Sequence, residues 1–371
     1  MNKKTILILN WRCPKNPERG GAEKVTLIHA KAWVKDGYEV YWLSAKFHGS
    51  TKEEIVEGVK VYRYGSLLTI YLLAPIIYWF KFGGNFDLVI DQIHGLPFLT
   101  PLWAFKSKKL AFIHEVAQEI WDQMLLFPFN VLGKLYEKIY FRLFYKRTKF
   151  LTVSKSTSSD LEKFGIPKKN IKVISNGVDL VPINKIPKKE RILTLIFVSR
   201  LIKMKGIEDA IKIFTEVHKA NPNSRFWIVG SGQKTYENYL KDLTLNLGAE
   251  KVTTFFGFVT EAKKVELLQK SHLLIHTSVR EGFGLVVLEA NSQGTPAIVY
   301  NSPGLRDLVK NGVNGFRVEK GNILAMAEKI THLSDDPKKY SNLVKSSINE
   351  SKKYNWDLMT KRLLKYLKNF L

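Results

Sequence analysis

The chain has 371 residues, 45% of them hydrophobic, and a single cysteine. It is long for one core and suits two domains, while a lone Cys13 excludes an intrachain disulfide and a cysteine-based metal site. Lys and Arg outnumber Asp and Glu by 58 to 34, a net charge of +24, which points to a polyanionic partner (nucleic acid, an anionic membrane surface or phosphorylated substrates) without choosing among them.

Divided at residue 185, that excess falls about equally on the two halves, so no basic tail carries it. Lys3-Lys4 leads directly into a short apolar strand with no secretory signal, and the cytoplasm is the expected compartment. Thr5 to Leu9 reads as a buried parallel strand. A loop rich in Pro, Arg and Gly follows, then a helix from Ala22 to Asp36 with Val25, Ile28 and Ala32 on its core face. Gly20-Gly21 at its entrance would leave bare backbone amides beside a helix N-terminus. Strands are predicted at Glu39–Leu43 and Val59–Tyr64.

Tyr64 to Phe80 carries no charge and reads as a helix apolar all round, either buried or dipping into a membrane surface, with Pro75 interrupting it. Further strands at Asp87–Ile90, Leu110–Ile113, Phe150–Val153 and Ile171–Ile174 alternate with helix-length stretches, which implies a parallel sheet covered on both faces. Ligands of such sheets sit at the carboxyl ends of the strands, where His94 and His114 lie. Between His114 and the next strand, Leu135–Phe150 mixes aromatics with Lys138, Arg142, Lys146, Arg147 and Lys149. It is either an amphipathic core helix with a basic outer face or an aromatic-basic surface for anionic lipid headgroups.

A turn at Asn176-Gly177 and the Pro- and Lys-rich stretch Val181–Arg191 place a domain boundary near residue 185. The alternation then restarts, with strands at Leu195–Ser199, Phe226–Val229, Val252–Phe256 and Leu273–His276, and a terminal amphipathic helix at Trp356–Leu371. Arg200 and Lys205 follow the first of these strands and could clamp a diphosphate, one by its planar fork and the other as a point charge. Gly230-Ser231-Gly232 adds a close-approach turn, and Phe258-Val259 apolar and backbone contacts for a base. Glu281 then precedes Gly282-Phe283-Gly284, and the short helix from Leu285 carries Glu289. Amides at a glycine-opened helix start favour phosphate, and flanking carboxylates, which do not bind phosphate, suit hydroxyls. Phosphate beside hydroxyls describes a sugar nucleotide.

Gly20-Gly21-Ala22-Glu23, His114, Asn176-Gly177-Val178-Asp179, Arg200 with Lys205, and Glu281 with Glu289 stand in an order that resembles the GT-B retaining glycosyltransferases of family 4. The resemblance covers nearly the whole chain. It implies an α/β fold of two doubly wound Rossmann-like domains facing a central cleft: an acceptor-binding domain over residues 1–185, with helix 356–371 packing back on it, and a nucleotide-sugar domain over 186–355. It further implies that Arg200 and Lys205 hold the diphosphate, Glu289 the ribose, and Glu281 with the amides of Phe283 and Gly284 the transferred sugar. Gly20 and Gly21 would approach the donor, and His114 would sit beside the reacting carbon. Gly230, Phe258, Val259, Gly282 and Leu285 complete the expected donor site. No metal is expected, and the implied reaction is front-face hexosyl transfer with retention. A UDP sugar is the favoured donor and GDP-mannose the other candidate. The expected acceptor is a lipid-linked or membrane glycan, reached at the inner face of an anionic membrane, and nucleic acid is not an expected partner. The competing readings are a nucleotide-sugar epimerase of the same fold and a nucleic-acid-binding protein using the positive charge.

Overall fold

Short apolar runs rich in β-branched residues form the strands, and helices between them carry apolar residues on one face. In the computed structural model, which describes residues 3–371, they assemble into two sheets. The first contains β1 (Thr5–Leu9), β2 (Glu39–Ser44), β3 (Glu53–Val56), β4 (Val59–Arg63), β5 (Leu88–Ile93), β6 (Lys108–Ile113), β7 (Lys149–Thr152) and β8 (Ile171–Val173). Its order is β3-β4-β2-β1-β5-β6-β7-β8, parallel throughout except for the β3–β4 pair. The second contains β9 (Leu193–Val198), β10 (Ser224–Val229), β11 (Thr253–Gly257), β12 (Leu273–His276), β13 (Ala297–Tyr300) and β14 (Gly315–Val318). Its order is β11-β10-β9-β12-β13-β14, all parallel.

Each sheet reverses its direction of growth once, between β1 and β5 in the first and between β9 and β12 in the second. Loops leaving the carboxyl ends of strands at such a point diverge and leave room for a ligand. Both sheets are therefore Rossmann-like, as the alternation of elements predicts. The chain divides into two compact units, one ending at Asn176 and taking back Asp357–Leu371, the other Gly177–Trp356. Residues 177–185 thus go with the second unit rather than the first. In the second unit, Ile207, Ala210, Ile211, Phe214 and Val217 of the helix Ile207–Ala220 are buried against the sheet, the face that helical spacing predicts.

Local departures from the sequence reading have physical causes. Strand β3 escapes it because Glu53-Glu54-Ile55-Val56 is half charged; it is an edge strand turned back by Glu57-Gly58, both at positive φ, which suits a tight two-residue hairpin. β14 also escapes it, being short and split by Arg317. The uncharged stretch Tyr64–Phe80 is not a helix apolar all round. It forms a helix over Ile70–Ile76 and a widened π turn over Ile77–Lys81. Pro75 supplies no N–H to the ladder, which fits a change of helical register just beyond it. Ile70, Ala74, Ile77 and Tyr78 are buried while Leu68, Leu72, Ile76 and Phe80 are exposed, so the segment has an inner and an outer face. Leu135–Phe150 likewise is not one helix: Phe129–Tyr140 is helical, a π turn spans Phe141–Tyr145, and Phe150 lies in β7. Among the described residues no helix is long and apolar enough to cross a membrane.

The terminal helix Trp356–Phe370 buries Met359, Leu363 and Leu367, and it is tied to the first unit by Lys368 to Asp36 at 2.9 Å and by Lys108 Nζ to the Phe370 carbonyl at 2.9 Å. Leu363→Ala is expected to destabilise that unit by about 2–4 kcal/mol, read as an earlier urea transition. Lys361→Ala, on the exposed side of the same helix, should change it by less than about 0.5 kcal/mol.

Candidate functional site

The loop after β9 and the loop after β12 are locked together before any ligand is considered. Gly206 adopts a φ of 70°, and a β-carbon there would lie 2.1 Å from the Thr277 carbonyl oxygen, so only glycine fits. Thr277 Oγ1 donates to the Gly206 carbonyl at 2.7 Å, and Val279 N–H donates to the Met204 carbonyl at 3.0 Å. Between these clasps Lys205 Nζ meets Glu281 Oε1 at 2.6 Å. The same oxygen accepts from Ser278 Oγ at 2.7 Å and lies 2.9 Å from His276 Nε2. Burial opposes the charge on Glu281, but the Lys205 ammonium and His276 prevail and hold its carboxyl well below the ordinary carboxylate range. The result is a pre-aimed carboxylate beside a cation at the switch point of the second sheet.

The backbone beyond Glu281 is equally constrained. Glu281 N–H donates to the Pro303 carbonyl at 3.1 Å, and a β-carbon on Gly304 would lie 2.0 Å from the Glu281 carbonyl oxygen. Gly284, at φ 88°, opens the helix Leu285–Ser292, whose N-cap makes no side-chain hydrogen bond; the Val287 N–H turns back to the Gly284 carbonyl at 2.9 Å, and the amides before it can be met from outside. Phe283 is buried and its ring meets Tyr354 edge-on, with centroids 5.8 Å apart; only its backbone can serve a ligand. Glu289, one helical turn further, pairs with Lys264 at 2.9 Å, and Lys264 also pairs with Glu261 at 2.9 Å. Burial opposes the Lys264 charge, but Glu289 and Glu261 together raise its pKa.

Arg200 is exposed at the end of β9, without an ion pair among the described residues. Gly230 follows β10, and a β-carbon there would lie 1.7 Å from the Ser199 carbonyl oxygen; the close approach that demands glycine is to the β9 loop. Phe258 is exposed and Val259 half-buried after β11. The structure thus joins Lys205 directly to Glu281 and places Arg200, Phe258 and Val259 after the ends of β9 and β11. Sequence reading missed His276 and Lys264. The first left a signal, a histidine closing the apolar run Leu273-Leu274-Ile275; the second is one of two adjacent lysines with nothing to distinguish it.

In the first unit a second group forms at the carboxyl ends of β1, β5 and β6. Glu23 accepts from the Gly20 N–H at 2.7 Å and from Trp11 Nε1 at 3.2 Å, which fixes the turn bearing Gly20 and Gly21 over the helix Gly21–Lys35. Trp11 lies between the Arg12 guanidinium, 4.4 Å from its ring centre, and the His94 ring at 5.6 Å. Ile93 aligns with Ile113 in the sheet, so His94 and His114 lie level, their rings stacked at 6.3 Å. His114 is buried, and among the described residues neither its Nε2 nor that of His94 has a hydrogen-bond partner. Burial, with His94 and His29 nearby, pushes the His114 pKa well below the usual imidazole value, so it is neutral at neutral pH. It can donate or accept a hydrogen bond there without carrying charge. Among the described residues no group of three or more His, Cys, Asp or Glu could hold a metal ion.

Comparison with known proteins bears on the family and the fold. Residues 19–181 match Glycosyltransferase Family 4, and residues 181–350 match Glycosyl transferases group 1. An uncharacterized glycosyltransferase of Methanocaldococcus jannaschii is 31% identical over 241 residues, which span 60% of this chain and 60% of that one. Sucrose-phosphate synthase of Thermosynechococcus elongatus superposes with a TM-score of 0.80 at 16% identity, covering 99% of both chains. Anabaena HepE in complex with UDP and glucose gives a TM-score of 0.74 at 20% identity, covering 99% of this chain and 100% of that one. At these identities the two structures establish the fold.

The pairing of Glu281 predicts a pH signature. A carboxylate whose folded pKa is depressed contributes stability that is full above its unfolded value, about 4.3, and is lost as pH falls through the folded value. Lys205→Met should therefore destabilise the protein by about 1–3 kcal/mol at pH 7, and the difference in Tm from the parent should shrink as pH falls below about 4.3. Thermal melts from pH 3.5 to 8 measure it; a difference independent of pH would contradict the assignment.

Proposed function

This chain belongs to the glycosyltransferases of GT-B fold, and on that premise we propose that it transfers a hexosyl group from a nucleoside-diphosphate sugar to a lipid-linked or membrane glycan, with retention and without a metal. The observation that supports the donor half best is the Lys205–Glu281 pair beside the uncapped helix start at Gly284. An ammonium has three donors, so Lys205 can take a diphosphate oxygen while still holding Glu281. Glu281 then faces the sugar hydroxyls as a fixed acceptor, and the amides beyond Gly282 receive the remaining charge. Arg200, whose side chain has no ion pair among the described residues, folds its planar fork onto the diphosphate and stabilises the leaving group as charge develops. Glu289 serves the ribose hydroxyls.

His114 lies beside the reacting carbon as a neutral hydrogen-bonding group, and Gly20 and Gly21 bring backbone close to the donor. No side chain serves as nucleophile; a donor phosphate oxygen takes the acceptor proton on the same face as the departing diphosphate, which preserves the anomeric configuration. A UDP sugar is the favoured donor, in line with the UDP and glucose bound by HepE.

The acceptor reading draws on the surface of the first unit. Met124, Leu126, Phe127, Phe129, Leu132, Leu135 and Ile139 are exposed, and Lys138, Arg142, Lys146 and Arg147 are exposed on the same stretch of chain. Apolar side chains entering an interface with cations at its margin suit an anionic membrane.

A thermal-shift series with UDP-glucose, GDP-mannose and ADP-glucose tests the donor. The right one should stabilise the protein by about 2.7 kcal/mol at a hundred times its Kd, EDTA should leave the shift intact, and Arg200→Ala with Lys205→Ala should abolish it. Product anomers read by proton NMR decide the stereochemistry: retention is expected, and inversion would refute the front-face reaction.

A further inference from the structure

Glu137 is buried on the helix Phe129–Tyr140, whose other face carries the exposed Leu132, Leu135 and Ile139. Burying a carboxylate is costly unless hydrogen bonds compensate. Those bonds run to one place. Glu137 Oε1 accepts from the Ala117 N–H at 2.7 Å, and Oε2 accepts from the Gln118 N–H at 3.0 Å and from Gln118 Nε2 at 2.8 Å. The short helix Gln118–Met124 has no cap from its own sequence, so a residue on a neighbouring helix satisfies its leading amides. Burial raises the Glu137 pKa while these donors lower it, burial being the larger effect.

The capped segment begins three residues after His114 and packs between the Gly95 turn and the apolar helix. A β-carbon on Gly133 would lie 2.7 Å from the Trp121 indole, and one on Gly95, the neighbour of His94, would lie 3.4 Å from the same indole. Lys134 and Asn130 of the apolar helix hold Asp122 at 2.5 and 2.9 Å. Glu137 thus ties the exposed helix to Ala117 and Gln118, and Trp121 packs against Gly95, whose chain neighbour His94 stacks on His114. The carbonyl of His114 is itself fixed by Thr157 Oγ1 at 3.0 Å.

We propose that Glu137 is a positioning residue, which makes the placement of the His94–His114 pair depend on the seating of the helix Phe129–Tyr140 on a lipid surface. The proposal rests on the membrane reading above. An amphipathic helix that settles at an interface restricts its own motion, and the cap transmits that restraint to the segment bearing His114. Glutamine at 137 keeps the size but offers one acceptor oxygen in place of two, so one of the two backbone amides loses its partner.

Hydrogen exchange followed by mass spectrometry, on the full chain with and without vesicles of phosphatidylethanolamine and phosphatidylglycerol, tests it. In the parent protein, exchange in peptides covering residues 114–124 should slow roughly threefold or more on vesicles. Glu137→Gln should sediment with vesicles as the parent does and show the same nucleotide-sugar thermal shift, yet lose the slowing. Leu132→Ser with Leu135→Ser, which leaves the cap untouched, should keep the protection seen in solution and lose only the response to vesicles. Parent protein that sediments with vesicles while residues 114–124 exchange unchanged would overturn the coupling, whatever becomes of the Glu137 variant. A Glu137→Gln protein that keeps the full response would overturn the residue's role. Failure of the parent to sediment would remove the membrane reading and the coupling together.

Discussion

The contact on which the chemistry proposed for the second unit turns is the one between Lys205 and Glu281. It exists because two loops from adjacent, oppositely growing halves of a parallel sheet are clasped by backbone: Gly206 under the Thr277 carbonyl, and Met204 under Val279. Neither side chain would be placed by its own loop alone. Lys205 ends a single turn of 3-10 helix, Lys203–Lys205, and Glu281 lies in an irregular stretch between β12 and the helix at Leu285. The pairing keeps a partly buried carboxylate charged where an anion and its sugar would arrive together, without water having to reorganise around it.

The first unit solves a different problem. Its carboxyl edge is lined by neutral aromatic rings, Trp11, His94 and His114, stacked in sequence rather than by ion pairs across strands. Two imidazoles kept uncharged by burial give hydrogen-bonding capacity without attracting free anions. The Arg12 guanidinium lies over Trp11 at that edge, and further cations, Lys138 and Arg142 among them, are exposed along the stretch Phe129–Tyr145. In the function proposed above, the second unit would receive the charged nucleotide and the first the neutral hydroxyls of the acceptor.

Much of this was legible in the residues because it rests on local rules. Strands such as Thr5–Leu9 and Leu273–His276 are uniform apolar runs, and periodicity identifies the buried face of Ile207–Ala220. The glycine-bounded segment Glu281–Glu289 shows itself because glycines at a helix start leave backbone amides accessible to an anion, with a carboxylate on either side of the turn. What could not be read depends on long-range contact. Nothing near Glu281 in sequence announces Lys205, 76 residues away, nor does the helix Glu261–Lys270 reveal that Lys264 answers Glu289. Uniform apolarity also misled. The stretch Tyr64–Phe80 has no charge to show which side faces out, and its two faces are set by packing under β1 and β5 and by the helical irregularity beyond Pro75. Gly230 shows the reverse case, a glycine whose smallness is explained by a neighbouring carbonyl.

A crystal structure of the chain with a bound UDP sugar tests the central claim most directly. The account predicts diphosphate oxygens within hydrogen-bonding distance of Lys205 Nζ and the Arg200 guanidinium, with a sugar hydroxyl on the Glu281 carboxylate. A nucleotide sugar seated elsewhere, with Lys205 and Glu281 still closed on each other and touching no ligand atom, would contradict it.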